Sequence, residues 1–67
     1  MEIILNNLPK QVPDTSSILQ VIHEFISDQP TAMAVAVNQQ VIPKSSWHSH
    51  QLMPSDRLTI IVPTQGG

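Results

Sequence analysis

A chain of 67 residues with no cysteine has to hold its fold by packing alone. Below roughly 70–80 residues a hydrophobic core rarely supplies more than ~3–5 kcal/mol, and natural domains of that size often add disulfides or a metal. Disulfide frameworks and Cys-type zinc sites are closed to this chain, and thiol nucleophiles and CxxC redox motifs are excluded with them. A second core has no room, so one domain is expected. The material for it is present: 40% of the residues are hydrophobic and 12% charged, the reverse of a disordered composition. Three basic residues against five acidic ones leave no electrostatic footprint for phosphates, so nucleic acid is not expected as a partner. No apolar run nears the ~18 residues of a membrane span. Met1 leads straight into Glu2-Ile3-Ile4-Leu5 rather than a basic and apolar leader, so a cytoplasmic protein with no membrane partner is expected.

Hydrophobic periodicity divides the chain into one helix and several short strands. Met1 to Asn6 is rich in β-branched residues and stops at Asn6-Asn7, a pair that tolerates the left-handed backbone of a hairpin turn. Beyond Leu8-Pro9, Lys10-Gln11-Val12 can pair back as a second strand. Ser17-Ile18-Leu19-Gln20 fits a capping box, which predicts a helix from Ile18. Ile18, Val21, Ile22, Phe25 and Ile26 form one apolar stripe, about three turns long and ended before Pro30. Met33 to Asn38 alternates with Val35 and Val37 toward the helix, and Val41-Ile42 is a short strand halted by Pro43. In the last strand, Arg57 to Val62, alternation puts Leu58, Ile60 and Val62 inward and Ile61 outward. It likewise turns Ile4 and Ala36 outward on the strands expected to flank it, giving an apolar patch. Hairpin, helix and further strands in so short a chain point to α+β. The architecture expected is a β-grasp, or ubiquitin-like, mixed sheet of four to five strands with one main helix packed on one face.

Both glycines of the molecule, Gly66 and Gly67, are its final two residues, although the turns elsewhere use Asn, Ser, Pro or Asp. Turn geometry therefore does not explain them. A Gly-Gly end can thread a narrow channel and leaves its carboxylate open to attack. Because a carboxylate is a poor electrophile, an ATP-dependent partner would have to convert it to an acyl-adenylate before a nucleophile could add. Thr64-Gln65-Gly66-Gly67 offers nothing to bury, so a domain over 1–63 with a flexible tail over 64–67 is expected.

Other side chains point to less. His48-Ser49-His50 puts two imidazoles on one face if extended, but two ligands do not make a zinc site. His23 lies off the apolar stripe and reads as a solvated helix residue. Ser45 or Ser46 with His48 and Asp56 could be drawn as a triad, yet no strained elbow or oxyanion motif accompanies it. No catalytic or metal-binding residue is assigned. Trp47 reads as a cap on one end of the core.

Asn38-Gln39-Gln40-Val41-Ile42-Pro43-Lys44, with Trp47 after it, resembles the central segment of the sulfur-carrier proteins of thiamin biosynthesis, the ThiS family. Met1 to Asn6 resembles their first strand, Ser17 their helix cap, and Asp56 to Ile61 their last strand before the Gly-Gly tail. The resemblance covers nearly the full chain. Where the family usually has Asn-Gly at the first turn and Gly-Asp before the last strand, this chain has Asn6-Asn7 and Ser55-Asp56.

The resemblance implies a carrier and not an enzyme. A ubiquitin-activating-type adenylyltransferase would adenylate the Gly67 carboxylate, using ATP that the carrier itself does not bind. A sulfur-donating persulfide protein would turn the adenylate into a thiocarboxylate, and thiazole synthase would receive the sulfur. Gly66, Gln65, Ile61, Ile4 and Ala36 would form the tail and partner-binding surface. Two other readings remain open. One is the small subunit of molybdopterin synthase, which shares fold and tail but tends to be longer between helix and last strand. The other is a β-grasp interaction module whose Gly-Gly end is incidental.

Overall fold

The computed structural model describes residues 1–26 and 33–62. Its strands are β1 (Glu2–Leu5), β2 (Leu8–Gln11), β3 (Ala34–Val37), β4 (Gln40–Val41) and β5 (Arg57–Ile61), with one α-helix, α1 (Ile18–Phe25), between β2 and β3. A short 3-10 turn spans Lys44–Ser46. The strands make one five-stranded sheet in the order β2-β1-β5-β3-β4. β1 and β5 are parallel, and the other neighbours are antiparallel. This is the expected β-grasp, with the last strand inserted at the centre between the two hairpins.

Each hairpin closes on a two-residue turn in left-handed backbone, Asn6-Asn7 (φ 48° and 69°) and Asn38-Gln39 (φ 50° and 71°). Two successive positive φ values are what a two-residue turn needs to match strand twist, and asparagine reaches them more readily than other non-glycine residues. β2 begins earlier than its sequence indicates and includes Pro9. The reason is positional: Val12 N–H donates to Met1 O at 2.9 Å, so by alternation Pro9 directs its missing donor to the open edge, where nothing is lost. β4 is shifted one residue toward the turn, Gln40–Val41 instead of Val41-Ile42.

Ser17 starts α1 with a complete capping box: Gln20 N–H donates to Ser17 Oγ at 3.2 Å, and Ser17 N–H donates to Gln20 Oε1 at 2.8 Å. The helix is eight residues long, shorter than the three turns expected. Ile26 continues the apolar stripe but has extended backbone (φ -115°, ψ 101°), so the periodicity outlasts the helix by one residue.

The core lies between α1 and one face of the sheet. Ile18, Val21 and Ile22 pack with Ile3, Leu5, Val35, Val37, Leu58 and Ile60, as the alternation requires. Trp47 closes one end, buried, with Nε1–H donating to Ile42 O at 2.8 Å. Leu52, fully buried, is a core residue that periodicity passes over because it lies outside helix and strand, beside the exposed Met53. Val62 departs from expectation. The last register pair among the described residues is Ala34↔Ile61, and Val62, past the end of β5, is 48% exposed instead of facing inward.

Candidate functional site

The sheet has a second face, opposite the helix, and period-two geometry decides what it carries. Glu2, Ile4, Ala34, Ala36, Arg57, Thr59 and Ile61 point there from β1, β3 and β5, alternating with the buried residues of each strand. Ile61 is 57% exposed, while Ile4 and Ala36 are half-buried. All three outward positions expected for a partner surface therefore lie on one face. Register then divides them. Ile61 is opposite Ala34 and diagonal to Ala36, whose other neighbour is Val41, 71% exposed on the edge strand. Ile4 is opposite Arg57 on one side and Pro9 on the other. Ile61 is four residue steps along β5 from Arg57, so Ile4 sits roughly 13 Å further from the strand's end.

The apolar group beside the end of β5 is thus Ile61, Ala34, Ala36 and Val41, with Val62 following in the chain. Ala34, Val41 and Val62 are the members that sequence reading did not assign. Alternation plus the Asn38-Gln39 turn could have found Val41, since a two-residue turn pairs it with Ala36. Gln65, Gly66 and Gly67 lie outside the described residues, as does the expected boundary between a domain over 1–63 and its tail.

Asp56, drawn above as a triad acid, accepts from Asn38 Nδ2 at 3.0 Å and from Met53 N–H at 2.8 Å, closing the turn before β5. The segment carrying His48 and His50 is turn, not strand; His48 is exposed, and His50 is half-buried with its carbonyl accepting from Ile18 N–H at 3.1 Å. Among the described residues, no three His, Asp or Glu side chains gather to hold a metal ion. His23 is exposed on α1, as expected. It lines an open cleft of about 610 Å³ with His48, Asp14 and the start of the helix. That cleft belongs to the helix layer. The first amide groups of α1 are already occupied, Ile18 by His50 O, Leu19 by Trp47 O and Gln20 by Ser17 Oγ, which leaves no free helix-end donors for an anion.

A β-grasp domain with its helix on one sheet face, an apolar group on the other and a Gly-Gly sequence after its central strand falls in the class of ubiquitin-like domains. Comparison with known proteins narrows the class: residues 3–67 match the ThiS family model, and the chain belongs to the ThiS family. It is 25% identical over 67 residues to the sulfur carrier protein ThiS of Escherichia coli (strain K12), with both chains covered completely. The crystal structure of the thiamine biosynthesis protein ThiS from Geobacter metallireducens superposes with a TM-score of 0.84 at 16% identity, again covering both chains in full, and shares the fold. The chain is accordingly a ThiS-type sulfur carrier, acted on by partners and not itself a catalyst.

Proposed function

We propose that the Gly67 carboxylate is the point at which this carrier is activated and loaded, and that the sulfur serves thiazole formation in thiamin biosynthesis. The supporting observation is a family match that runs through Gly67 itself, the end of a chain that has no other glycines than this pair. A carboxylate oxygen attacks the α-phosphorus of ATP in an activating enzyme, pyrophosphate leaves, and the acyl-adenylate forms. A persulfide sulfur on a donor protein then attacks the acyl carbon and displaces AMP. A second thiol cleaves the resulting acyl disulfide, giving the thiocarboxylate on Gly67 and a disulfide between donor and thiol. Glycine suits both positions, since a side chain would widen the segment entering the partner's site and crowd the attacked carbon. The partners of this reading are a ubiquitin-activating-type adenylyltransferase, a persulfide donor and thiazole synthase. The apolar group at Ile61, Ala36 and Val41 would seat the activating enzyme close to the start of the tail.

ATP–pyrophosphate exchange by an activating enzyme, dependent on this chain, tests the first step. Deleting Gly67 or adding one residue after it shifts the carboxylate by ~3.3–3.6 Å, outside near-attack distance of the nucleotide, and should abolish exchange without affecting the fold. Exchange that survives both changes would exclude Gly67 as the activated group. The pathway has its own readout: a strain lacking Gly67 should lose thiamin-independent growth and recover it on supplied thiazole. Failure of thiazole to rescue that strain, with the thiocarboxylate forming on the intact chain, would favour the molybdopterin reading.

A further inference from the structure

We infer that Asn6 is a positioning residue for the last strand, holding Ile60–Val62 where the chain leaves the sheet toward its Gly-Gly end. The inference rests on the carrier reading above. β1 and β5 pair over only two positions, Ile4↔Arg57 and Leu5↔Leu58. The last backbone link between them is Asn6 N–H to Leu58 O, at 2.9 Å. There β1 ends, because Asn6 and Asn7 take left-handed backbone and reverse the chain into β2. The next donor on that side of β5 is Ile60 N–H, two residues on, and β1 has no further carbonyl to offer it. Asn6 Oδ1 accepts it instead, at 2.8 Å. One residue thus grips β5 twice, by its amide at Leu58 and its side chain at Ile60. The sheet is carried on to the residue before Ile61, which faces outward.

The other hairpin supplies a built-in control. Asn38, the first residue of the second left-handed turn, donates its amide to Arg57 O at 2.8 Å, and its Oδ1 accepts Arg57 N–H at 3.0 Å. This is the same two-point grip from the opposite neighbour, applied at the first residue of β5. Asn38 fixes where β5 begins, and Asn6 fixes how it ends. The residue types that meet both demands on position 6 at low cost are few: left-handed backbone costs least for Gly, Asn or Asp, and the Ile60 amide needs a short side-chain acceptor. Asn and Asp meet both.

That overlap makes the test clean. Asn6→Gly keeps the turn and removes the acceptor, Asn6→Asp keeps turn and acceptor, and Asn38→Gly removes the matching contact at the far end together with the Asn38 Nδ2 bond to Asp56. Amide exchange should show Ile60 about five- to tenfold faster in Asn6→Gly, the effect of losing one hydrogen bond, with the Arg57 amide unchanged. Asn38→Gly should show the converse. In steady-state adenylation by the activating enzyme, Asn6→Gly should raise the apparent KM for the carrier about fivefold with kcat retained, while Asn6→Asp and Asn38→Gly stay at the wild-type KM. Unaltered Ile60 exchange overturns the contact. Faster exchange with an unaltered KM overturns its role in presentation, and an equal KM rise in Asn38→Gly reduces Asn6 to general stability. A wild-type chain that no activating enzyme adenylates would refute the carrier reading, whereas adenylated wild type with any of the preceding outcomes refutes the inference alone.

Discussion

Asn6, Asn7, Thr15, Asn38, Gln39 and Ser55 all hold positive φ, and none of them is glycine. For the asparagines the conformation is cheap, and Asn6 and Asn38 use their side chains to bond β5. Ser55 is different. It sits at φ 69° where the family usually has glycine, and its backbone amide donates to Glu2 O at 2.8 Å, tying the turn to β1. Releasing left-handed strain at a non-glycine residue yields about 1–2 kcal/mol, and the added freedom of an unfolded glycine offsets about 0.4–1 kcal/mol of that. Ser55→Gly should therefore stabilise the protein by ~0.5–1 kcal/mol, read as a higher urea midpoint at constant m-value. A midpoint that does not move would mean that the strain released at this residue is no larger than the added freedom of the unfolded glycine. The left-handed turn at Asn6-Asn7 was legible from the sequence because it is local. The grip of Asn6 on Ile60 was not, since it joins residues 54 positions apart and needs the sheet order first.

At the scale of elements, α1 shows what a local pattern can and cannot decide. Its start was legible to the residue, because Ser17 and Gln20 satisfy each other's amides within one turn. Its end was not, because Ile26 keeps packing against the core after its backbone has left the helix. Ser17→Ala removes the acceptor for Gln20 N–H in a part-buried setting and should cost about 1 kcal/mol, within a range of ~0.5–2. Ser17→Asp, which restores an acceptor, should recover most of the loss; thermal melts of the pair decide it. Equal melting of Ser17→Ala and wild type would show that the Ile18 and Leu19 bonds to His50 and Trp47 suffice to anchor the helix. Strand edges follow the same logic. Pro9 belongs to β2 only because β2 is an edge, a fact of sheet order that no window of sequence contains.

For the molecule as a whole, the two faces of the sheet separate stability from recognition. The inward face was legible almost entirely, since alternation alone assigns Ile3, Leu5, Val35, Val37, Leu58 and Ile60. On the outward face Ile4, Ala36 and Ile61 were legible one by one but their grouping was not, because register decides that Val41 stands beside Ala36 while Ile4 stands beside Arg57. Ile61→Asp should thus leave stability within ~1 kcal/mol of wild type, as expected for an exposed strand position. The same change should slow activation by the adenylating partner. A matched Ile4→Asp, at the far end of the face, should slow it less. If both variants are activated at the wild-type rate, the outer face is not where that partner docks.

In the proposed function, sulfur is loaded on the carboxyl carbon of Gly67. Intact-mass spectrometry after incubation with an activating enzyme, ATP and a persulfide donor addresses it directly, with fragmentation to locate the change. The expected result is a gain equal to the difference between one sulfur and one oxygen, confined to Gly67, dependent on ATP and absent when Gly67 is deleted. A mass that never changes in the complete mixture, or a gain that persists without Gly67, would contradict it.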